Sequence, residues 1–102
     1  LIVIDHGRKI AEGSPRQLIA AYIEPQVIEV YDEAGGDLAA FVAAHRNLAG
    51  RVETSGETAF FYCSEPRPLL ARLAEAPALR YVHRAANLED VFIKLTGREL
   101  RD

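Results

Sequence analysis

The chain has 102 residues, room for one compact domain plus an appendage, and its 49% hydrophobic and 26% charged composition is that of a globular protein, not a disordered one. A net charge of -3 provides no overall positive field to gather phosphates or anionic lipid headgroups, so nucleic acid is not expected as a partner. The single cysteine, Cys63, excludes an internal disulfide framework, and apolar runs such as Leu1 to Ile4 fall far short of the roughly 20 residues that span a bilayer.

In chain order, two apolar stretches, Leu1 to Asp5 and Arg8 to Glu12, flank His6-Gly7, where glycine supplies the positive φ of a tight hairpin turn. Ser14, Pro15 and Gln17 then give an N-cap, a favoured first helical residue and a capping-box partner for a short helix ending near Ile23. Pro25 marks the passage to a second segment.

Val27 to Asp32 is β-branched and aromatic enough for a strand, ended by a turn at Gly35-Gly36. Asp37 caps a helix whose Leu38, Phe41, Val42, His45 and Leu48 fall on one stripe, and Gly50 is expected to stop it. Arg51 to Thr54 and Thr58 to Cys63 flank Ser55-Gly56, a second hairpin. Ser64 to Pro68 starts a helix that buries Leu69, Leu70 and Leu73, and Leu79 to Arg84 alternates as a strand with one wet face. Asn87 and Asp90 cap a last helix carrying Leu88, Val91, Phe92 and Leu95, with Gly97 to end it.

Strand, helix, strand, strand, helix, strand over residues 27 to 84 is the order of a ferredoxin-like unit. The fold class is therefore α+β: a ferredoxin-like βαββαβ antiparallel sheet with an N-terminal β-hairpin plus helix and an extra C-terminal helix. In that topology the first and third strands are central. Ala59 to Cys63, apolar on both faces, suits the centre, and the polar Arg51 to Thr54 suits an edge.

No catalytic, cofactor-binding or metal-binding residue is assigned. His6, His45 and His83 fall in a turn, a helix and a strand with no convergent spacing, and Cys63 ends the central strand as a small hydrophobe. Phe60, Phe61 and Tyr62 occupy the strand on which an RNA-recognition fold stacks bases, but Glu57 to Phe61 lacks that fold's basic, glycine-aromatic pattern. The glycines form no GxxxxGK[ST] or GxGxxG run that would cradle a phosphate.

The two ends of the chain are less generic. Leu1 to Leu18, with its His-Gly-Arg-Lys-Ile turn and Gly-Ser-Pro helix start, resembles the segment that follows the switch histidine in ABC transporter ATPases. Ala86-Asn-Leu-Glu-Asp-Val-Phe-Ile-Lys-Leu-Thr-Gly97 is similar to the ending of the drug-exporter ATPases, closest to the nodulation ATP-binding protein I and daunorubicin-resistance group.

That resemblance implies a longer bacterial parent that uses ATP and magnesium to drive export through a membrane permease, with its nucleotide motifs upstream of Leu1. The chain, which has no methionine and opens inside an apolar run, is expected to be a piece of such a parent. Residues 1–25 would then be the terminal hairpin and helix of a nucleotide-binding domain, and residues 26–102 a non-catalytic accessory domain. Its expected partners are the parent's nucleotide-binding domain, a second copy of itself, and the permease through the parent, at the cytoplasmic side of the inner membrane. Leu1, Ile2, Val3, Ile4, Leu88, Val91, Phe92 and Leu95 are the expected interaction residues. A small-molecule-sensing domain is the alternative.

Overall fold

A computed structural model describes residues 2–32 and 37–96; Leu1, the Gly35-Gly36 turn and the Gly97 stop lie outside them. The elements are β1 (Ile2–Asp5), β2 (Arg8–Glu12), α1 (Pro15–Tyr22), β3 (Gln26–Asp32), α2 (Leu38–His45), β4 (Arg51–Ser55), β5 (Thr58–Cys63), α3 (Arg67–Ala74), β6 (Leu79–Ala85) and α4 (Leu88–Thr96). They divide into two compact units, one from the described residues of 1–25 and 86–102, the other from residues 26–85.

In the first unit β1 and β2 form an antiparallel ribbon. Its two-residue loop has φ +53° at His6 and +75° at Gly7, and two positive values in succession make the type I′ turn that matches strand twist. The pairing slips by one residue between Val3, opposite Ala11, and Ile4, opposite Lys9, a bulge the alternation of residues did not reveal. Ser14 then accepts from the Gln17 amide at 3.2 Å while the Gln17 side chain accepts from the Ser14 amide at 2.8 Å, the expected capping box. Gly13 is needed there, because a Cβ would come within 3.1 Å of Gln17 Oε1.

At the other end of this unit Asn87 Oδ1 accepts from the Asp90 amide at 3.1 Å and Asp90 Oδ2 from the Asn87 amide at 2.8 Å, starting α4 as expected. Helix α4 lies beside α1, and Lys94 Nζ donates to the last-turn carbonyl of Tyr22 at 2.6 Å.

The second unit is a four-stranded antiparallel sheet in the order β4-β5-β3-β6, so the ferredoxin-like topology holds and its first and third strands are central. Ile28, Val30, Ala59, Phe61 and Cys63 share one face, on which α2 places Phe41 and Val42 and α3 places Leu69 and Leu73. Gly56, at φ +60°, opens the two-residue β4–β5 loop.

Two expectations need revision. The stripe on α2 does not run on as α-helix to Leu48; the α-helix ends at His45 and Arg46–Leu48 form a 3-10 turn. His45 Nδ1 lies 3.0 Å from the Phe41 carbonyl, and its ring packs 4.3 Å from that of Phe41, so the side chain occupies the last turn. Strand β6 is wet on both faces beyond buried Leu79: Tyr81 is 44% and Val82 47% exposed. It is the sheet's edge, with a neighbour strand on one side only.

Candidate interaction surfaces

The ribbon of β1 and β2 has two unlike sides. Val3 and Ala11 face one another across it and are buried, as a hairpin laid on a core requires. Ile2 and Ile4 project from the other side, 50% and 57% exposed. Their cross-strand neighbours, Glu12 and Lys9, are joined at 2.9 Å, so the two isoleucines are bordered by an ion pair whose charges cancel. An apolar pair beside a neutralised polar rim suits a protein interface better than open water.

The expected residues of α4 separate by depth. Val91 is fully buried, whereas Leu88, Phe92 and Leu95 are half-buried. They share a compact unit with β1, so the structure brings both expected groups into one part of the molecule. Leu1 lies outside the described residues.

Two grooves were not legible in the sequence. One, of about 570 Å³, lies in the second unit between α2, through Leu38, Ala39, Val42 and Ala43, and the β4–β5 hairpin, through Thr54 and Thr58. It is open and mostly apolar, with Asp32, Arg46 and Glu57 at its margin. Two alanines of the α2 run Leu-Ala-Ala-Phe-Val-Ala-Ala, Ala39 and Ala43, line it and are too small to fill the space beside the hairpin. The other, of about 520 Å³, runs along α1 past Arg16, Ile19, Ala20 and Ile23 to Pro25.

Among the described residues the three histidines are held apart. His6 Nε2 is 3.6 Å from Asp5, His45 is held by the Phe41 carbonyl, and His83 Nε2 meets Gln26 Oε1 at 2.9 Å, three separate local contacts. Among the described residues no group of three or more His, Cys, Asp and Glu side chains could hold a metal ion. Glu65 has its pKa pulled down to about 2 by the side-chain hydrogen bonds of Arg67 and then by the Arg67 amide, but this pair is fully exposed ahead of α3. Among the described residues, Gly7 and Gly56 sit in hairpin loops, and the Ser14 and Gln17 amides after Gly13 are engaged in the capping box.

Two rings of the aromatic run of β5, Phe61 and Tyr62, are engaged within the fold. Phe61 packs edge-on to Phe41 in the core at 6.1 Å, and Tyr62, 1% exposed, carries the Arg51 guanidinium 3.9 Å above its ring. Neither ring offers a free face to a base. Outside the core, Arg84 pairs with Glu29 across β3 and β6, a contact between partly buried groups.

A family model described as nodulation factor export protein NodI, C-terminal domain, matches residues 39–97. The chain is 54% identical to a Nod factor export ATP-binding protein I of Ralstonia nicotianae, 56% to one of Cupriavidus metallidurans and 54% to one of Burkholderia orbicola. Each match covers all of this chain but 33% of the relative, so the chain spans about a third of the length of the curated relatives it matches. No solved structure matches it. The resemblance carried by the two terminal segments thus extends through the residues between them, and the chain belongs to the family of the nodulation factor export protein NodI C-terminal domain.

Proposed function

We propose that this chain is the non-catalytic C-terminal part of an ABC exporter's ATP-binding subunit, in which residues 1–25 end the nucleotide-binding domain and residues 26–102 form an accessory domain that couples or regulates it. The parent would hydrolyse ATP with magnesium on the cytoplasmic side of the inner membrane and drive a permease; the relatives' names suggest a Nod factor as cargo. The chain by itself would neither bind nor turn over nucleotide. The observation that carries this reading is the exposed Ile2–Ile4 side of the ribbon. Covering two half-exposed isoleucines is worth about 2 kcal/mol, a reason for further protein to lie there. A second copy of the chain is the other proposed partner.

The test uses the full-length subunit with its permease in vesicles. Replacing residues 26–85 with a short linker, which keeps α4 beside α1, is expected to leave ATP turnover within severalfold while cargo export falls at least tenfold. Unchanged export would refute the accessory role. Ile4→Lys should lower the melting temperature of the full-length subunit and leave that of the 102-residue chain nearly unchanged; equal melting temperatures in the full-length pair would remove the docked hairpin.

The groove between α2 and the β4–β5 hairpin favours a second reading, a small-molecule-sensing domain, since 570 Å³ falls within the range of ligand pockets. Amphiphilic exporter substrates should then raise the melting temperature of the chain, and the Ala43→Trp variant should lose the shift. A screen with no shift in the unaltered chain would end this reading.

A further inference from the structure

We infer that the free edge of β6 is a self-association surface, on which a second copy of the chain adds its own β6 antiparallel about a two-fold axis through Tyr81. This rests on the second-copy partner proposed above and names the surface for it.

The direction of the backbone groups comes first. The β3–β6 register is unbroken from Gln26–Ala85 to Asp32–Leu79, and one step further the Ala86 amide donates to the Pro25 carbonyl at 3.0 Å. In an antiparallel ladder the pairs that exchange hydrogen bonds alternate with pairs that do not. Val27–Arg84, Glu29–Val82 and Tyr31–Arg80 are therefore the bonded pairs, and the amides and carbonyls of Tyr81 and His83 point away from β3. The Leu79 amide agrees, since it turns outward to the Ala76 carbonyl at 3.0 Å. Pro77 limits this edge at one end, and at the other Arg84 Nη1 takes the Ala85 carbonyl at 3.1 Å. The edge that remains is short and bounded.

Side chains then decide what kind of partner fits. Tyr81 and Val82 are adjacent, both exposed, and project from opposite faces of the sheet. A partner lying on one face would cover one of them. A strand added at the edge flanks both, as β-augmentation does.

Charge selects the register. Centring the axis on Val82 sets Arg80 against Arg84 of the other copy, like charges directly opposite. Centring it on Tyr81 sets Arg80 of one copy against Val82 of the other. Glu29 is already held by Arg84 within its own sheet, so this register asks only that the incoming Arg80 lie beside Val82, with no like charge directly opposite. Tyr81 meets Tyr81 of the second copy, and Leu79 meets its His83. Such a seven-residue edge buries less than a standard interface, so the dissociation constant is expected on the order of 100 µM.

Residue-resolved amide exchange on the 102-residue chain tests this. Between about 20 µM and about 1 mM, the Tyr81 and His83 amides should slow about fourfold, while Arg80, Val82 and Arg84 stay protected throughout. Tyr81→Pro removes an outward amide and leaves the β3 ladder intact, so it should stay monomeric in sedimentation over the same range. A disulfide measurement covers the case in which that variant fails to fold. Tyr81→Cys should cross-link under mild oxidation, whereas Val82→Cys, placed roughly 8 Å from its mate, should not. Exchange at Tyr81 and His83 that ignores concentration overturns the β6 assignment, as does cross-linking through Val82→Cys alone. Association abolished by Ile4→Lys and untouched by Tyr81→Pro also overturns it while leaving the second-copy partner standing; absence of any association removes both.

Discussion

Asp90 is the one charged side chain buried to 1% exposure among the described residues, and its position follows from what it bonds. Its carboxylate closes the capping box with Asn87 at the start of α4, where an acidic group also faces the positive end of the helix. Asp90→Ala should cost about 1–2 kcal/mol in urea unfolding, and Asp90→Asn less, since the amide oxygen can still accept. Equal losses for the two would show that burial, not the cap, sets the cost. Glu65 shows the opposite environment. Arg67 reaches both its oxygens, at 2.9 and 2.8 Å, and holds the carboxyl near 2 from an ordinary 4.5. Because the folded value is the lower one, the contribution of this pair is present above about pH 4.5 and fades as pH falls toward 2. An NMR titration should place the Glu65 midpoint well below 4.5, with Arg67→Gln returning it toward that value; matching midpoints in the two proteins would refute the pairing.

At the level of the elements, the hairpin loop gives a clean measurement. Gly7 sits at φ +75° with open space around its Cβ position, so Gly7→Ala is strained by its backbone alone and should cost about 1 kcal/mol in the thermal midpoint analysis. A neutral substitution would mean that the type I′ geometry relaxes freely. What could be read in advance at this scale was local chemistry: Ser14 with Gln17, Asp37, Asn87 with Asp90, and the two glycine loops each act through neighbours within three residues. What could not be read depends on partners distant in the chain. The Arg84–Glu29 pair, for one, needs the β3–β6 register. Asp37 was legible as a cap, yet its left-handed backbone, φ +53°, was not, since nothing in a cap residue announces the direction from which the chain arrives.

Over the whole molecule the sheet order was legible because it follows from four strands, two helices and the contrast between apolar β5 and polar β4. The surfaces were less so. Ile2 and Ile4 could be named from composition, but the exposure of Tyr81 and Val82 depends on β6 having one neighbour, and the α2 groove on how far small alanines leave α2 from the β4–β5 hairpin. The second unit carries its own core, with Phe61 at its centre against Ile28, Phe41 and Leu69. Phe61→Ala should therefore cost about 3–5 kcal/mol and expose the β3 and β5 amides to exchange together; a loss under about 1 kcal/mol would mean that the neighbours collapse into the space.

The bond between Pro25 and Ala86 has a consequence for how such a protein changes over generations. The segment from 26 to 85 departs and rejoins the backbone at one spot, so it is a cassette whose two ends already touch. A single recombination event could swap, add or delete it without any spacer to redesign, and a tight two- or three-residue bridge would reseal the gap.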